Sequence, residues 1–144
     1  MKGDGTEAEL TDAVERDSLT GIGNRRAFDR ALGALLSQGD VRCTLALIDC
    51  DHFKAVNDRA SHLAGDRVLQ RIAKVLTQAS RKSDIAARFG GDEFAVVFAD
   101  AARDEAANVC ERIRAAIEQY ADDGAPAVTV SIGARAVERT GIAL

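Results

Sequence analysis

Residues 85–99 read IAARFGGDEFAVVFA, and this stretch decides the fold. Ile85–Phe89 and Phe94–Ala99 are short apolar runs with only Gly90-Gly91-Asp92-Glu93 between them. Such runs, joined by a short glycine-containing link, predict two antiparallel strands in a hairpin. On the N-terminal side, Leu63 to about Gln78 predicts a helix with Val68, Leu69, Ile72, Val75 and Leu76 on one face. On the C-terminal side, about Glu105–Tyr120 predicts another, with Ala106, Val109, Cys110, Ile113 and Ile117 as its core stripe. Thr44–Asp49 (TLALID) lacks helical spacing and predicts a buried strand, and Val128–Ala134 predicts a last one. Nearer the N-terminus, Asn24 is placed to cap a helix carrying Phe28, Ala31, Leu32, Leu35 and Leu36, with Gly39 to end it. A short helix over about residues 10–16, a polar tail over residues 1–9 and a turn over residues 122–126 complete the expected layout.

After the first long helix the order is strand, helix, strand, strand, helix, strand. That is the ferredoxin-like βαββαβ arrangement, an α/β (α+β) fold with an antiparallel sheet. In such a sheet the first strand lies beside the third, so the end of one meets the beginning of the other. Asp49 closes the first strand, and Asp92 and Glu93 immediately precede the third. The topology therefore predicts three carboxylates converging at one sheet edge.

Composition narrows the function. The chain has 144 residues, 47% hydrophobic and 29% charged, which suits one domain with one sizeable core. A net charge of −4 argues against a DNA-binding surface, though not against a phosphorylated small molecule held through a metal. RNA-recognition domains share the strand and helix order but need central aromatics and a basic face; one Tyr, five Phe and an acidic balance disfavour that reading. The apolar runs are too short for a membrane helix, and Met1–Leu10 is polar and acidic. Cys43, Cys50 and Cys110 have no CxxC spacing and predict reduced thiols in a cytoplasmic protein.

Converging carboxylates repel one another unless solvated, protonated or neutralised by a cation, and hard oxygen ligands suit Mg²⁺. Adjacent glycines let backbone approach a ligand closely. The segment Asp49-Cys50-Asp51-His52-Phe53-Lys54 leaves a strand and enters a helical turn, where N–H groups can face phosphate oxygens and Lys54 adds a compact positive charge. On the residues alone, a solvated Gly-Gly turn remains an equal alternative. For Asn57 and Asp66, helix capping is the default.

Gly90-Gly91-Asp92-Glu93-Phe94, preceded by Arg88, resembles the signature of the GGDEF family of diguanylate cyclases. Further blocks match in order: Asp17-Ser-Leu-Thr-Gly-Ile-Gly-Asn-Arg-Arg-Ala-Phe28, Asp49-Cys-Asp-His-Phe-Lys-Ala-Val-Asn-Asp58 and Thr129-Val-Ser-Ile-Gly133. The resemblance runs from about Asp17 to Ala134. It implies a nucleotide-cyclase-like fold, with residues 1–16 as a connector and residues 17–144 as the GGDEF domain. It also implies condensation of two GTP molecules to cyclic di-GMP in a homodimer, downstream of a sensory domain.

By the same resemblance, Asp49, the Cys50 carbonyl, Asp92 and Glu93 would hold two Mg²⁺ ions, and Asp92 would be the base. Gly90 and Gly91 would pass close to the nucleotide. Backbone at His52 and Phe53, with Lys54, would meet the terminal phosphates, and Asn57 and Asp66 would read guanine. Arg81-Lys82-Ser83-Asp84 stands where the family carries its RxxD inhibitory site for the product, with Arg112 as a secondary arginine. The sequence departs from the family at Ala60-Ser61-His62, where an aromatic-Gly-His run is usual, and at Leu144, where the family continues through another helix. The resemblance thus implies a C-terminally shortened domain. It leaves a second expectation open, a catalytically weak module that binds cyclic di-GMP or GTP.

Overall fold

The computed structural model describes residues 14–120 and 124–139. Helix α1 (Arg25–Leu36) starts where Asn24, in extended backbone, accepts a 3.0 Å hydrogen bond from the Ala27 N–H. Strand β1 (Val41–Cys50) follows, then the short α2 (Phe53–Arg59) and the long α3 (His62–Ala79). The hairpin is β2 (Ile85–Gly90) and β3 (Glu93–Ala99); α4 (Arg103–Gln119) and β4 (Val130–Arg139) close the order. The sheet runs β2-β3-β1-β4 with every neighbouring pair antiparallel, which is the expected ferredoxin-like topology.

Alternation along β1 sends its side chains to two different layers. Ala46, Ile48 and Cys50 join the main core with Val68, Ile72 and Leu76 of α3 and Ile113 and Ile117 of α4. Val41 and Cys43 point to the other face, where Phe28 of α1 packs with Ala87, Ala95 and Val97. The same face becomes exposed toward the far end of β1, where Leu47 is 52% accessible. Asp49 is exposed on that face, beyond the cover of α1.

Buried Arg71 ties α3 to the segment before β4. Its guanidinium donates to the Pro126 and Ala125 carbonyls at 2.8 and 3.0 Å and sits 5.4 Å from the Tyr120 ring centre. That clamp sets the approach of the chain to Thr129 and Ser131.

Several sequence-based expectations need correction. Ser37, not Gly39, closes α1, its N–H bonded to the Gly33 carbonyl at 3.0 Å. β1 begins at Val41 rather than Thr44, because alternation through Arg42 keeps the polar side chain outside. β4 continues past Ala134 to Arg139, paired with β1 as far back as Val41. It is an edge strand, where charged residues are tolerated on the open side. Most of the expected residue 10–16 helix, the tail, residues 121–123 of the turn and residues 140–144 lie outside the described residues.

Ile113 is fully buried between α4 and the sheet. Ile113→Ala is expected to cost about 2–5 kcal/mol in urea unfolding. Leu47→Ser is expected to stay within about 0.5 kcal/mol. Equal losses would contradict the burial of Ile113 and the exposure of Leu47.

Candidate functional site

The register of β1 builds the site. Asp49 stands opposite Glu93 on β3 and opposite Ser131 on β4. The Cys50 N–H donates to the Asp92 carbonyl at 3.2 Å, which fixes the hairpin turn against the end of β1. Burial and the neighbouring Asp92, Glu93 and Asp51 carboxylates push the Asp49 carboxyl above its ordinary value. This is the electrostatic mark of excess negative charge, and a hard cation would relieve it. Among the described residues no three acidic, His or Cys side chains close into a ready cage. Carboxylate and carbonyl oxygens are hard donors, the kind that suits a hard divalent cation. Burial, with the neighbouring Asp92, Asp51 and Asp49 carboxylates, pushes the Cys50 thiol up to about 12, which keeps it protonated in the metal-free protein.

The hairpin turn needs its glycines. Gly90 has φ +128° and Gly91 φ +53°, both in the region that L side chains rarely adopt. Arg88 clamps the turn through two bonds to the Gly91 carbonyl at 3.0 and 2.8 Å. It also pairs with Asp17 at 3.1 Å, which links the segment before α1 to the hairpin. Asp17 in turn accepts from the Thr20 N–H and hydroxyl at 2.9 and 2.6 Å. On the exposed face beside the turn, Asp49, Glu93, Leu47, Phe89 and Ser131 line a groove of about 670 Å³.

Asp51 is a site residue that the sequence reading did not single out. Its carboxylate accepts from the Thr129 and Ser131 hydroxyls at 2.7 and 2.6 Å, and its N–H donates to the Thr129 carbonyl at 2.9 Å. Those hydroxyls hold its carboxyl below its ordinary value. Asp51 thus ties the β1–α2 turn to β4, and His52 turns the chain into α2 with φ +57°. The available signal was the pair of hydroxyls two apart on a strand, which share one face.

Neither Asn57 nor Asp66 caps a helix: Asn57 lies within α2 and Asp66 within α3, both half-buried. Ser61 is the cap of α3, accepting from the Ala64 N–H at 3.0 Å. Lys54 is exposed in the first turn of α2.

Arg81 and Asp84 lie at the opposite end of β2 from the glycines. The Asp84 side chain is 1% exposed and already engaged, accepting from the Arg81 N–H at 2.8 Å, the Ala99 N–H at 3.1 Å and the Arg81 guanidinium at 3.2 Å. Arg81 also donates to the Ala99 carbonyl. Asp84 therefore holds Arg81 in place rather than standing free. Arg81, Asp84 and Arg112 line one cavity of about 380 Å³ with Glu105 and Asn108.

A raised Asp49 pKa means that stability is lost as pH rises from the ordinary carboxylate value through the folded one, where this carboxyl ionises. Asp92→Asn is expected to raise the metal-free melting temperature at pH 7 by roughly 2 °C. Millimolar Mg²⁺ is expected to raise the melting temperature of the native chain and leave the variant unmoved. A lower melting temperature for metal-free Asp92→Asn would contradict the repulsion.

The family model described as "Diguanylate cyclase, GGDEF domain" matches residues 14–142. Diguanylate cyclase DgcM of Escherichia coli is 35% identical over 134 residues, covering 88% of this chain and 32% of DgcM. Diguanylate cyclase VdcA of Vibrio cholerae is 41% identical over 103 residues, covering 72% of this chain and 30% of VdcA. The chain thus spans about a third of the length of these relatives. Among solved structures, the coiled coil and GGDEF domain of DgcB from Caulobacter crescentus, in complex with c-di-GMP, superposes with a TM-score of 0.82. It is 28% identical, with 94% of this chain and 76% of that one covered. Topology, signature turn and relatives agree: the chain belongs to the GGDEF domain family of diguanylate cyclases.

Proposed function

We propose that this domain condenses two GTP molecules into cyclic di-GMP and two pyrophosphates. The observation that carries the reading is the strand register that brings Asp49, Asp92 and Glu93 to one end of the sheet, with Asp49 pushed up by burial and by its acidic neighbours. Asp49, the Cys50 carbonyl, Asp92 and Glu93 would hold two Mg²⁺ ions. When bound, such ions neutralise phosphate charge and acidify a nearby hydroxyl. Asp92 accepts the proton of the 3′-hydroxyl as its oxygen bonds to the α-phosphorus of the second nucleotide and the bond to pyrophosphate breaks. Lys54 and the backbone at His52 and Phe53 face the terminal phosphates, and Gly90 and Gly91 leave room beside the nucleotide. Asn57 and Asp66 read the guanine edge, since an amide meets acceptors or donors and a carboxylate accepts from N1–H and the 2-amino group.

Each protomer carries one GTP site while the product joins two nucleotides, so catalysis takes a homodimer with sites face to face. A sensory domain upstream in the whole protein would set that pairing. No described helix is long and apolar enough to cross a membrane.

A second reading concerns binding without turnover. Arg81, Asp84 and Arg112 line one cavity, and two guanidinium forks there suit a phosphodiester and a guanine edge. Calorimetry with cyclic di-GMP is expected to show binding to the native chain and at least a tenfold loss for Arg81→Ala. The same affinity in both proteins would remove the inhibitory site.

The condensation is tested by incubating the chain with GTP and Mg²⁺ and detecting cyclic di-GMP by mass. Product is expected from the native sequence. Asp92→Ala is expected to lower its rate by about 10²-fold or more. A rate within a few-fold of native for Asp92→Ala would overturn the assignment.

A further inference from the structure

Gly65 lies in the first turns of α3, buried, and faces the side chain of Asn57 on α2. A Cβ at Gly65 would stand 1.9 Å from the Asn57 Oδ1, 3.0 Å from its Cγ and 3.2 Å from the Phe53 Cζ. The first two distances do not allow Asn57 to stay where it is. Among the described residues the Asn57 side chain makes no hydrogen bond to the protein. Its position is therefore set by shape alone: the bare backbone of Gly65 on one side, with the edge of Phe53 beside it. With its oxygen packed toward Gly65, the amide keeps its two N–H donors unspent, whereas one fixed by internal hydrogen bonds has used them.

We infer that Gly65 is a positioning residue for guanine recognition, its missing side chain forming the seat that aims the Asn57 amide at the base. This rests on the reading of Asn57 as a guanine contact. Gly65 needs no unusual backbone here: it sits within a helix, its N–H bonded to the Ser61 carbonyl at 3.0 Å. A glycine inside a helix lowers helix stability relative to alanine. Close approach of the neighbouring side chain gives that choice a reason, since the displaced atoms of Asn57 belong to a side chain that can swing away. Gly65→Ala thus leaves the fold and moves the amide.

A double-mutant cycle separates the possibilities. The native chain, Gly65→Ala, Asn57→Ala and the double variant are titrated calorimetrically with the α,β-methylene analogue of GTP in Mg²⁺, and with its adenosine counterpart. Circular dichroism verifies the fold of each. Gly65→Ala is expected to weaken the guanosine analogue by about tenfold, as Asn57→Ala does, with both lowering its preference over adenosine. In the Asn57→Ala background the obstructing atoms are gone, so adding Gly65→Ala is expected to change nothing further. Native affinity in Gly65→Ala beside a loss in Asn57→Ala would overturn the positioning role alone. Losses that add in the double variant would also overturn it, because Gly65 would then act on something other than Asn57. Native affinity in Asn57→Ala would overturn the guanine reading and the inference together.

Discussion

Strand β1 is hydrogen-bonded on both edges, to β3 through Cys43–Asp49 and to β4 through Val41–Cys50, and this double pairing decides where each charged group of the site stands. A slip of one residue would exchange the faces of the whole strand. Ile48 and Cys50 would leave the core, and Asp49 would be driven into it. Burial of alternate residues therefore fixes the position of the carboxylates as firmly as any local contact does. The core resists repositioning of Asp49 opposite Glu93, even though the two carboxylates repel.

That repulsion is concentrated at one end of the sheet and countered elsewhere. Asp51, the acidic neighbour of the cluster, is occupied by the Thr129 and Ser131 hydroxyls, and Asp17 by Arg88 and Thr20. Arg88 reaches in two directions, so the turn that carries Asp92 is braced against the segment ahead of α1. Asp49 has no such cationic partner among the groups that shift it. That raised carboxyl stands at the end of the sheet where we propose the metal site.

The strand and helix order was legible in the sequence because the helices have strong apolar stripes and the hairpin is punctuated by two glycines. From that order the meeting of Asp49 with Asp92 and Glu93 followed without any side-chain information. The full reach of β4 was not legible: Arg135, Glu138 and Arg139 resemble a solvated loop until pairing with β1 is known. Contacts between distant parts were equally hidden. Asp51 meets hydroxyls 78 and 80 residues away, and Arg88 meets Asp17 across 71 residues. Asp84 carried an ambiguous signal, since an RxxD spacing describes both a free acceptor and the buried partner of Arg81 that it proves to be. Gly65 carried none, because its reason is the space occupied by another helix.

The central claim is that the end of β1 and the hairpin turn together form the cation site. Mn²⁺ takes the same hard oxygen ligands as Mg²⁺ and broadens the amide signals of nearby residues in nuclear magnetic resonance spectra. At substoichiometric Mn²⁺, the amides of residues 49–51 and 91–93 are expected to disappear first, and Asp92→Ala is expected to restore them. Broadening centred on another part of the molecule, or unchanged in Asp92→Ala, would contradict the assignment of the site.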